Sequence, residues 1–270
     1  REGIFSGMSY PTTWRPPSFF PNPYVRYGVI LGVLGYFILS FLTLDADWQR
    51  TLKGIPRAID IFQRMFPPNF SRWEILVRGV LESVQMALAA SFFGMIIAIP
   101  VGLCAANNLV PKPIYYIGRA FLGISRTFHS IIIAIFFVKI FGFGPLAGVL
   151  TLIVDSFSFI GKMVAEDIEN MKPGKLEAIR ATGASFPKLL IYAVLPPVLP
   201  RYIGVSIYRL DANIRHSTVV GIVGAGGIGQ TLAASFSRYD YGFSLAILMT
   251  IVSLVFLGEF FSNWIRAKLR

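Results

Sequence analysis

The sequence has little charge, one cysteine and two histidines, and each shortage excludes a class of protein. Charged residues make up 14% of the 270 positions, whereas soluble domains carry about 25%. The one cysteine, Cys104, cannot form an intramolecular disulfide, so a disulfide-stapled scaffold is excluded. The histidines, His129 and His216, are far apart, and the sequence has neither an HExxH nor a CxxC pattern. A zinc site is therefore disfavoured.

Apolar residues are abundant instead. They account for 54% of the chain, and the mean hydropathy is +0.63. Lys and Arg number 25 against 14 Asp and Glu, which leaves a net charge of +11. Such an excess suits either nucleic acid or the anionic face of a membrane. Because the chain is so apolar, we expect membrane lipid rather than nucleic acid as its surroundings.

Long apolar runs predict an all-α integral membrane protein, since a bilayer-spanning helix needs about 20 mostly apolar residues. The runs lie at about residues 27–44, 80–106, 114–141, 146–162, 199–223 and 243–265. The first run could be a signal peptide, but it lacks a small-residue cleavage site and is longer than the usual apolar region, so a retained helix is favoured. The fifth run contains Arg209, Asp211 and Arg215. We therefore expect six crossings, or five if this run is not one of them.

The distribution of basic residues predicts the orientation. With both termini inside, fifteen Lys and Arg fall on the inner side and eight on the outer side, six of the latter in one loop. This asymmetry favours termini on the cytoplasmic side of the membrane. The predicted segments are a cytoplasmic tail (1–26), a first helix (27–44), an outer loop with an amphipathic surface helix (45–79), a core (80–265) containing a cytoplasmic segment (163–198), and a basic tail (266–270).

The cytoplasmic segment predicts a helical elbow. Residues 175–182 form an amphipathic pattern, and Gly183 can end that helix in the left-handed conformation. Pro187 suits the first turn of a second helix at 188–194, which the Leu-Pro-Pro at 195–197 would stop. The residues of this segment, taken alone, favour the simpler interpretation that it is an ordered loop.

A motif in this elbow, Glu177-Ala178 followed by Gly183 and Leu195-Pro196, resembles the EAA motif of permease subunits in bacterial ABC importers. Ile179 stands where that motif has Ala. The resemblance implies a type I ABC importer permease architecture, in which the elbow docks on a cytoplasmic ATPase. The residues that it assigns to coupling are Glu177, Ala178, Arg180, Ala181, Gly183 and Ala184.

A second motif, at 211–229, resembles the permeases of phosphonate and phosphite importers, which are related to methionine-type permeases. Residues 66–73 and 107–111 agree, and the resemblance covers about 60–265. Asp211 stands where that family usually has Glu, and His216-Ser217 stands where it has Ser-Ala, which bears on the exact substrate. The nearest alternatives are permeases for methionine, other amino acids, osmoprotectants or metal chelates.

The resemblance also implies partners. They are a second copy of this chain, two cytoplasmic ATPase subunits that hold ATP and Mg, and a periplasmic or surface-tethered solute-binding protein. The chain itself is expected to bind no cofactor or metal and to catalyse no reaction, and it has no Walker A motif. A secondary transporter would need inverted repeats, and a membrane enzyme would need a catalytic cluster; neither is visible in the sequence.

Ionisable and polar residues inside predicted spans are candidates for function, because burying charge in a membrane is costly. Asp211 and Arg215 have the i, i+4 spacing of an intrahelical ion pair, so mutual neutralisation is the favoured interpretation. The functional alternative places polar side chains along a translocation path. The residues concerned are Asp211, Asn213, Arg215, His216, Arg126 and His129. Glu82 and Asp155 would repel an anion and are expected to be structural.

A glycine-rich stretch also satisfies the dinucleotide-binding pattern GxGxxG. That pattern requires a preceding strand and an acidic residue about 20 positions on, whereas Asp240 comes sooner. We expect these glycines to permit close helix packing or a re-entrant bend instead. They are Gly224, Gly226, Gly227 and Gly229.

Overall fold

The computed structural model describes residues 22–44 and 48–268, and within these ranges the regular elements are helices. They are α1 (Pro23–Thr43), α2 (Trp48–Met65), α3 (Trp73–Cys104), α4 (Lys112–Thr127), α5 (Ser130–Phe141), α6 (Pro145–Glu169), α7 (Pro173–Ala181), α8 (Phe186–Leu189), which continues through a π-helical turn (Leu190–Val194), α9 (Leu195–Ile222), α10 (Gly227–Ser237) and α11 (Tyr241–Lys268). Within the described residues, five spans are long and apolar enough to cross a membrane, or six if the bent pair α4–α5 is counted as one span. The predicted all-α membrane architecture is confirmed.

The described chain divides into two compact units between Ile59 and Asp60, inside α2. The first unit contains α1, which begins at Pro23 because the side chain of Asn22 accepts a hydrogen bond from the amide of Tyr24. The predicted cytoplasmic tail lies largely outside the described residues. A helix does occupy the predicted outer loop, namely α2, and its place on the membrane surface stays a prediction.

The second unit is built on α3 and α6, which pack side by side and run in the same direction. Small residues permit the close approach. A Cβ added to Gly102 would lie 2.9 Å from the carbonyl oxygen of Gly161, and one added to Gly94 would meet the side chain of Ser156. The buried apolar core of this unit therefore lies along the α3–α6 contact.

Helix α9 runs antiparallel to α3. Tyr202 donates to the carbonyl of Met95 at 3.0 Å near its start, and Asn213 donates to Ser91 at 2.8 Å further along. Helix α11 then runs antiparallel to α9, and Gly258 packs against Ile214. These directions place α7 and α8 at one end of the bundle, which we call the elbow end.

The span predicted at 114–141 is interrupted, so it is not one continuous helix. The chain bends by 89° between α4 and α5. Phe128 and His129 have extended backbone angles, and the His129 imidazole caps α5 by accepting a hydrogen bond from the amide of Ile131 at 3.3 Å. The cap provides a local partner for an amide that a continuous helix would have bonded internally.

Two predicted helix ends also differ. Helix α6 continues to Glu169, past the predicted end at 162. The prolines at 196 and 197 do not stop the second elbow helix but stand in the first turn of α9. The preceding π-helical turn breaks the ordinary bonding pattern, and amides in a first turn need no intrahelical partner, so proline is tolerated there.

Candidate coupling and translocation sites

The elbow is anchored through its apolar face. Leu176 of α7 and Leu189 of α8 are 4% exposed and belong to the core at the elbow end, with Ile179 packed against them. Gly183 connects the two helices with φ +73, a conformation that favours glycine, and its amide bonds to the carbonyl of Arg180 at 3.0 Å. The predicted helix–turn–helix elbow, with Gly183 at its turn, is therefore present.

The outward face of the elbow carries mostly small, exposed side chains. Glu177, Ala178 and Ala181 are exposed, as is Gly183, while Ala184 is half-buried. Small side chains around a single carboxylate leave a helix surface that another protein can approach closely. Their role in coupling stays a prediction.

Arg180 has a different place from the other predicted coupling residues. Its guanidinium donates to the carbonyl of Asn108 at 3.0 Å, which ties the elbow to the loop between α3 and α4. The amide side chain of Asn108 in turn donates to the carbonyl of Ile168 at 2.7 Å. Arg180 thus links the elbow to the two central helices of the unit.

Glu169 completes this link. Its Oε1 accepts the backbone amide of Asn107 at 2.9 Å, and its Oε2 forms an ion pair with Arg119 of α4. One carboxylate therefore joins the end of α6, the α3–α4 loop and α4. Sequence reasoning missed Glu169, because its partners are distant in sequence and no local spacing signals them.

A second polar cluster lies between α6 and α9. Arg209 is 5% exposed and forms an ion pair with Asp155, whose Oδ2 also lies 3.1 Å from Nδ1 of His216. Two basic side chains therefore flank one half-buried carboxylate, and the buried Arg209 has the charged partner that burial requires. The expectation that Asp155 is structural agrees with this geometry. Sequence reasoning counted Arg209 among the charges of the fifth span but assigned it no role.

Asn213 and the Asp211–Arg215 pair are occupied by structural contacts. Asn213 is fully buried and donates to both Ser91 and Ser156 at 2.8 Å. Asp211 and Arg215 form the ion pair that their spacing predicts, at 2.8 Å. Mutual neutralisation, the favoured interpretation, is what the structure shows for this pair.

A cavity of about 410 Å³ opens where α4 and α5 bend beside α6 and α9. It brings together three of the predicted path residues, Arg126, His129 and His216, whereas Asp211, Asn213 and Arg215 do not line it. Its lining residues are Arg126, Phe128, His129, Ser130, Asp155, Ser158, Phe159, His216 and Val219. The cavity is therefore lined both by polar side chains, three of them basic, and by the apolar side chains of Phe128, Phe159 and Val219.

The glycine-rich stretch forms the turn between α9 and α10. Gly224, Gly226 and Gly227 have positive φ, and a Cβ on Gly229 would collide with the carbonyl of Thr218. Helix α10 begins beside α3, where Glu82 accepts the amide of Gly227 at 3.0 Å. The turn follows a helix, and α10 continues in the direction of α9. The glycines thus serve close packing and an interrupted span.

These features define the class of protein. Over the described residues it is an all-helical, multi-spanning membrane protein with ionisable groups around an open cavity at the α4–α5 bend and an exposed helical elbow at one end. Ionisable groups within membrane-spanning segments commonly mark substrate or ion pathways.

The chain belongs to the family described as binding-protein-dependent transport system inner membrane component, whose profile matches residues 98–270. This membership places it among the multi-pass permease subunits of ABC importers in the inner membrane.

Several curated proteins are similar over most of the chain. The putative phosphite transport system permease protein HtxC of Stutzerimonas stutzeri is 36% identical over 87% of this chain and 83% of its own length. The phosphite transport system permease protein PtxC of the same organism is 36% identical over 90% and 86%. The phosphate-import permease protein PhnE of Mycolicibacterium smegmatis is 35% identical over 90% of this chain, which spans only 46% of that longer protein.

Solved structures support the same architecture. A chain of the MetNI methionine ABC transporter, solved in an inward-facing conformation, superposes with a TM-score of 0.64 and 28% identity over 75% of this chain and 99% of its own. An amino acid ABC transporter solved with histidines superposes with a TM-score of 0.58 at 14% identity, over 83% of this chain and 100% of its own, which shows the shared fold alone.

Proposed function

We propose that this chain is the permease subunit of an ATP-driven importer that carries a phosphonate or phosphite anion across the bacterial inner membrane. The observation that carries the proposal is the 36% identity to phosphite permeases over most of the chain, together with the basic cavity. The termini lie in the cytoplasm, in accordance with the asymmetry of the basic residues.

The working unit in this proposal is a homodimer. Arg126 and His129 are exposed in the single chain, although they belong to a candidate span. An arginine facing hydrocarbon costs roughly 2.5–3.5 kcal/mol on insertion scales. A second copy that covers the bend between α4 and α5 would remove these side chains from lipid and enclose a path between the subunits.

The energy source in this proposal is a pair of cytoplasmic ATPase subunits that bind the elbow. The apolar anchors and the Arg180 and Glu169 contacts make the elbow, α4 and α6 move together. Closure of the ATPase pair on ATP binding would then rotate these helices as a body and open the path outward, and hydrolysis would reset it. Such alternating access receives substrate from a binding protein on the outer face.

The test is transport by the reconstituted complex. The permease, its genomic-neighbour ATPase and its binding protein are assembled in proteoliposomes, and uptake of phosphite, methylphosphonate and methionine is measured with internal ATP. We expect ATP-dependent uptake of phosphite or methylphosphonate. Uptake of methionine alone would overturn the substrate assignment.

Binding of the ATPase to the elbow is tested by separate variants. Glu177→Lys reverses the charge on the exposed face of α7 without touching its buried anchor, and it should abolish co-purification of the ATPase. Lys139→Ala, on α5 away from the elbow, serves as the control. If the ATPase still co-purifies with Glu177→Lys and uptake is unchanged, the elbow is not the docking site.

A further inference from the structure

The two histidines that line the cavity at the α4–α5 bend have different hydrogen-bond partners, which favour opposite tautomers of their neutral rings. Nδ1 of His129 accepts the amide of Ile131 at 3.3 Å, so in the neutral ring the proton is on Nε2. Nδ1 of His216 faces the carboxylate of Asp155, which only accepts, so in the neutral ring the proton is on Nδ1. In its neutral ring His129 therefore offers Nε2 as a donor, whereas in its neutral ring His216 offers Nε2 as an acceptor.

Arg209 compensates the negative charge that Asp155 places at the cavity. It lies behind Asp155, buried, and neutralises that carboxylate from the protein side. Without it the carboxylate would repel an anion at the cavity wall. Arg126, whose guanidinium lies 5.8 Å from the centre of the Phe159 ring, remains as the cation on the open side.

Donors and acceptors together specify a ligand. Arg126 and Nε2–H of His129 suit ionised oxygens, while Nε2 of neutral His216 needs a ligand that carries a proton. A tetrahedral phosphorus oxyanion with one P–OH group has both ionised oxygens and a proton to donate, whereas sulfate near neutral pH has no proton to donate. The cavity is larger than a single small oxyanion, and Phe128, Phe159 and Val219 line it beside the polar groups. A carbon substituent on phosphorus therefore has an apolar surface to contact.

We infer that this cavity is a binding site on the translocation path for a singly protonated phosphorus oxyanion, selected over sulfate by the His216 acceptor that Asp155 fixes. The inference rests on the proposed function for its place in transport, but the binding chemistry depends only on this chain. Asp155 and Arg209 act as positioning residues, and Arg126, His129 and His216 contact the ligand.

The first test measures binding without transport. Phosphorus NMR line broadening of phosphite is recorded with the purified permease–ATPase complex, without binding protein, and phosphate and sulfate are added as competitors. We expect broadening that phosphate relieves and sulfate does not. Equal relief by sulfate would overturn the selection by His216, and absence of broadening would overturn the site.

Variants assign the effect to residues. Removing one charge-assisted contact, by Arg126→Ala, should weaken phosphite binding by roughly 10- to 150-fold, with Arg126→Lys in between and Lys139→Ala unchanged. Asp155→Asn releases the His216 tautomer and should let sulfate compete, a change that a purely structural role would not produce. Each variant is first checked for a monodisperse elution profile.

Transport separates this inference from the function on which it rests. If the wild-type complex imports phosphite and Arg126→Ala has the wild-type concentration dependence, the cavity assignment fails and the proposed function stands. If the wild-type complex binds phosphite in the cavity but imports no phosphorus oxyanion, the proposed function fails and the site stands.

Discussion

Replacing Gly183 by Ala tests whether the elbow conformation matters for coupling. A Cβ at Gly183 meets nothing within 4 Å, so space is not limiting. The cost is conformational, because φ is +73 and a non-glycine residue in the left-handed region loses about 1–2 kcal/mol. This reduces the population of the observed elbow by roughly 5- to 30-fold, and we expect the affinity for the ATPase to fall by the same factor.

Gly174 provides the matched control. It lies in the same elbow, in the first turn of α7, with open space around it and an ordinary backbone conformation. Gly174→Ala should therefore leave ATPase binding unchanged, and Gly183→Asn should bind better than Gly183→Ala, since Asn tolerates this conformation. Affinities are measured by surface plasmon resonance on permease in nanodiscs. Equal affinity of Gly183→Ala and Gly174→Ala would refute the reasoning.

Three further predictions concern packing. Gly118→Ala places its Cβ 2.8 Å from the carbonyl of Cys104 and should destabilise the protein by about 1–3 kcal/mol, seen as a lower melting temperature in detergent. Gly123→Ala is the control in the same helix, because its Cβ meets nothing within 4 Å, and it should not lower the melting temperature. Glu169→Ala should lower the free energy of unfolding by about 1–3 kcal/mol in denaturant titrations. Glu166→Ala, whose ion pair with Lys162 is an i, i+4 contact of half-exposed side chains, should lower it by about 0.5 kcal/mol. Equal costs would refute the linking role of Glu169. Asn213→Ala removes two buried hydrogen bonds, worth about 1 kcal/mol each, and unchanged stability in the same titration would contradict the packing described.

The positions of the spans were predictable because bilayer crossing is a local property of composition. A run of about 20 apolar residues shows itself without knowledge of its neighbours. The first elbow helix and its end at Gly183 were visible for the same reason, since these residues lie within one short segment, but only the resemblance to the EAA motif favoured an elbow over an ordered loop. The bend between α4 and α5 was missed because the imidazole cap of His129 has no signature in hydropathy.

Some candidate residues make the contacts that their spacing predicts, and others make contacts that only helix packing reveals. The i, i+4 pair of Asp211 and Arg215 was visible in the sequence and forms as expected. Asn213, which sequence reasoning also placed on the path, is buried between α3 and α6 by contacts from distant parts of the chain. Arg209 could not be assigned a role, since its partner lies on another helix.

The sequence by itself determined that this is a helical membrane protein, where its apolar runs lie, and where the turn of its elbow falls, because each depends on residues close together in the chain. Only the tertiary structure decided which charges meet. The parallel packing of α3 and α6 and the antiparallel course of α9 bring Asp155 to Arg209 and His216, and the bend after α4 places Arg126 and His129 at the same cavity. Interactions between distant segments depend on the relative direction and register of whole helices, which no local pattern encodes.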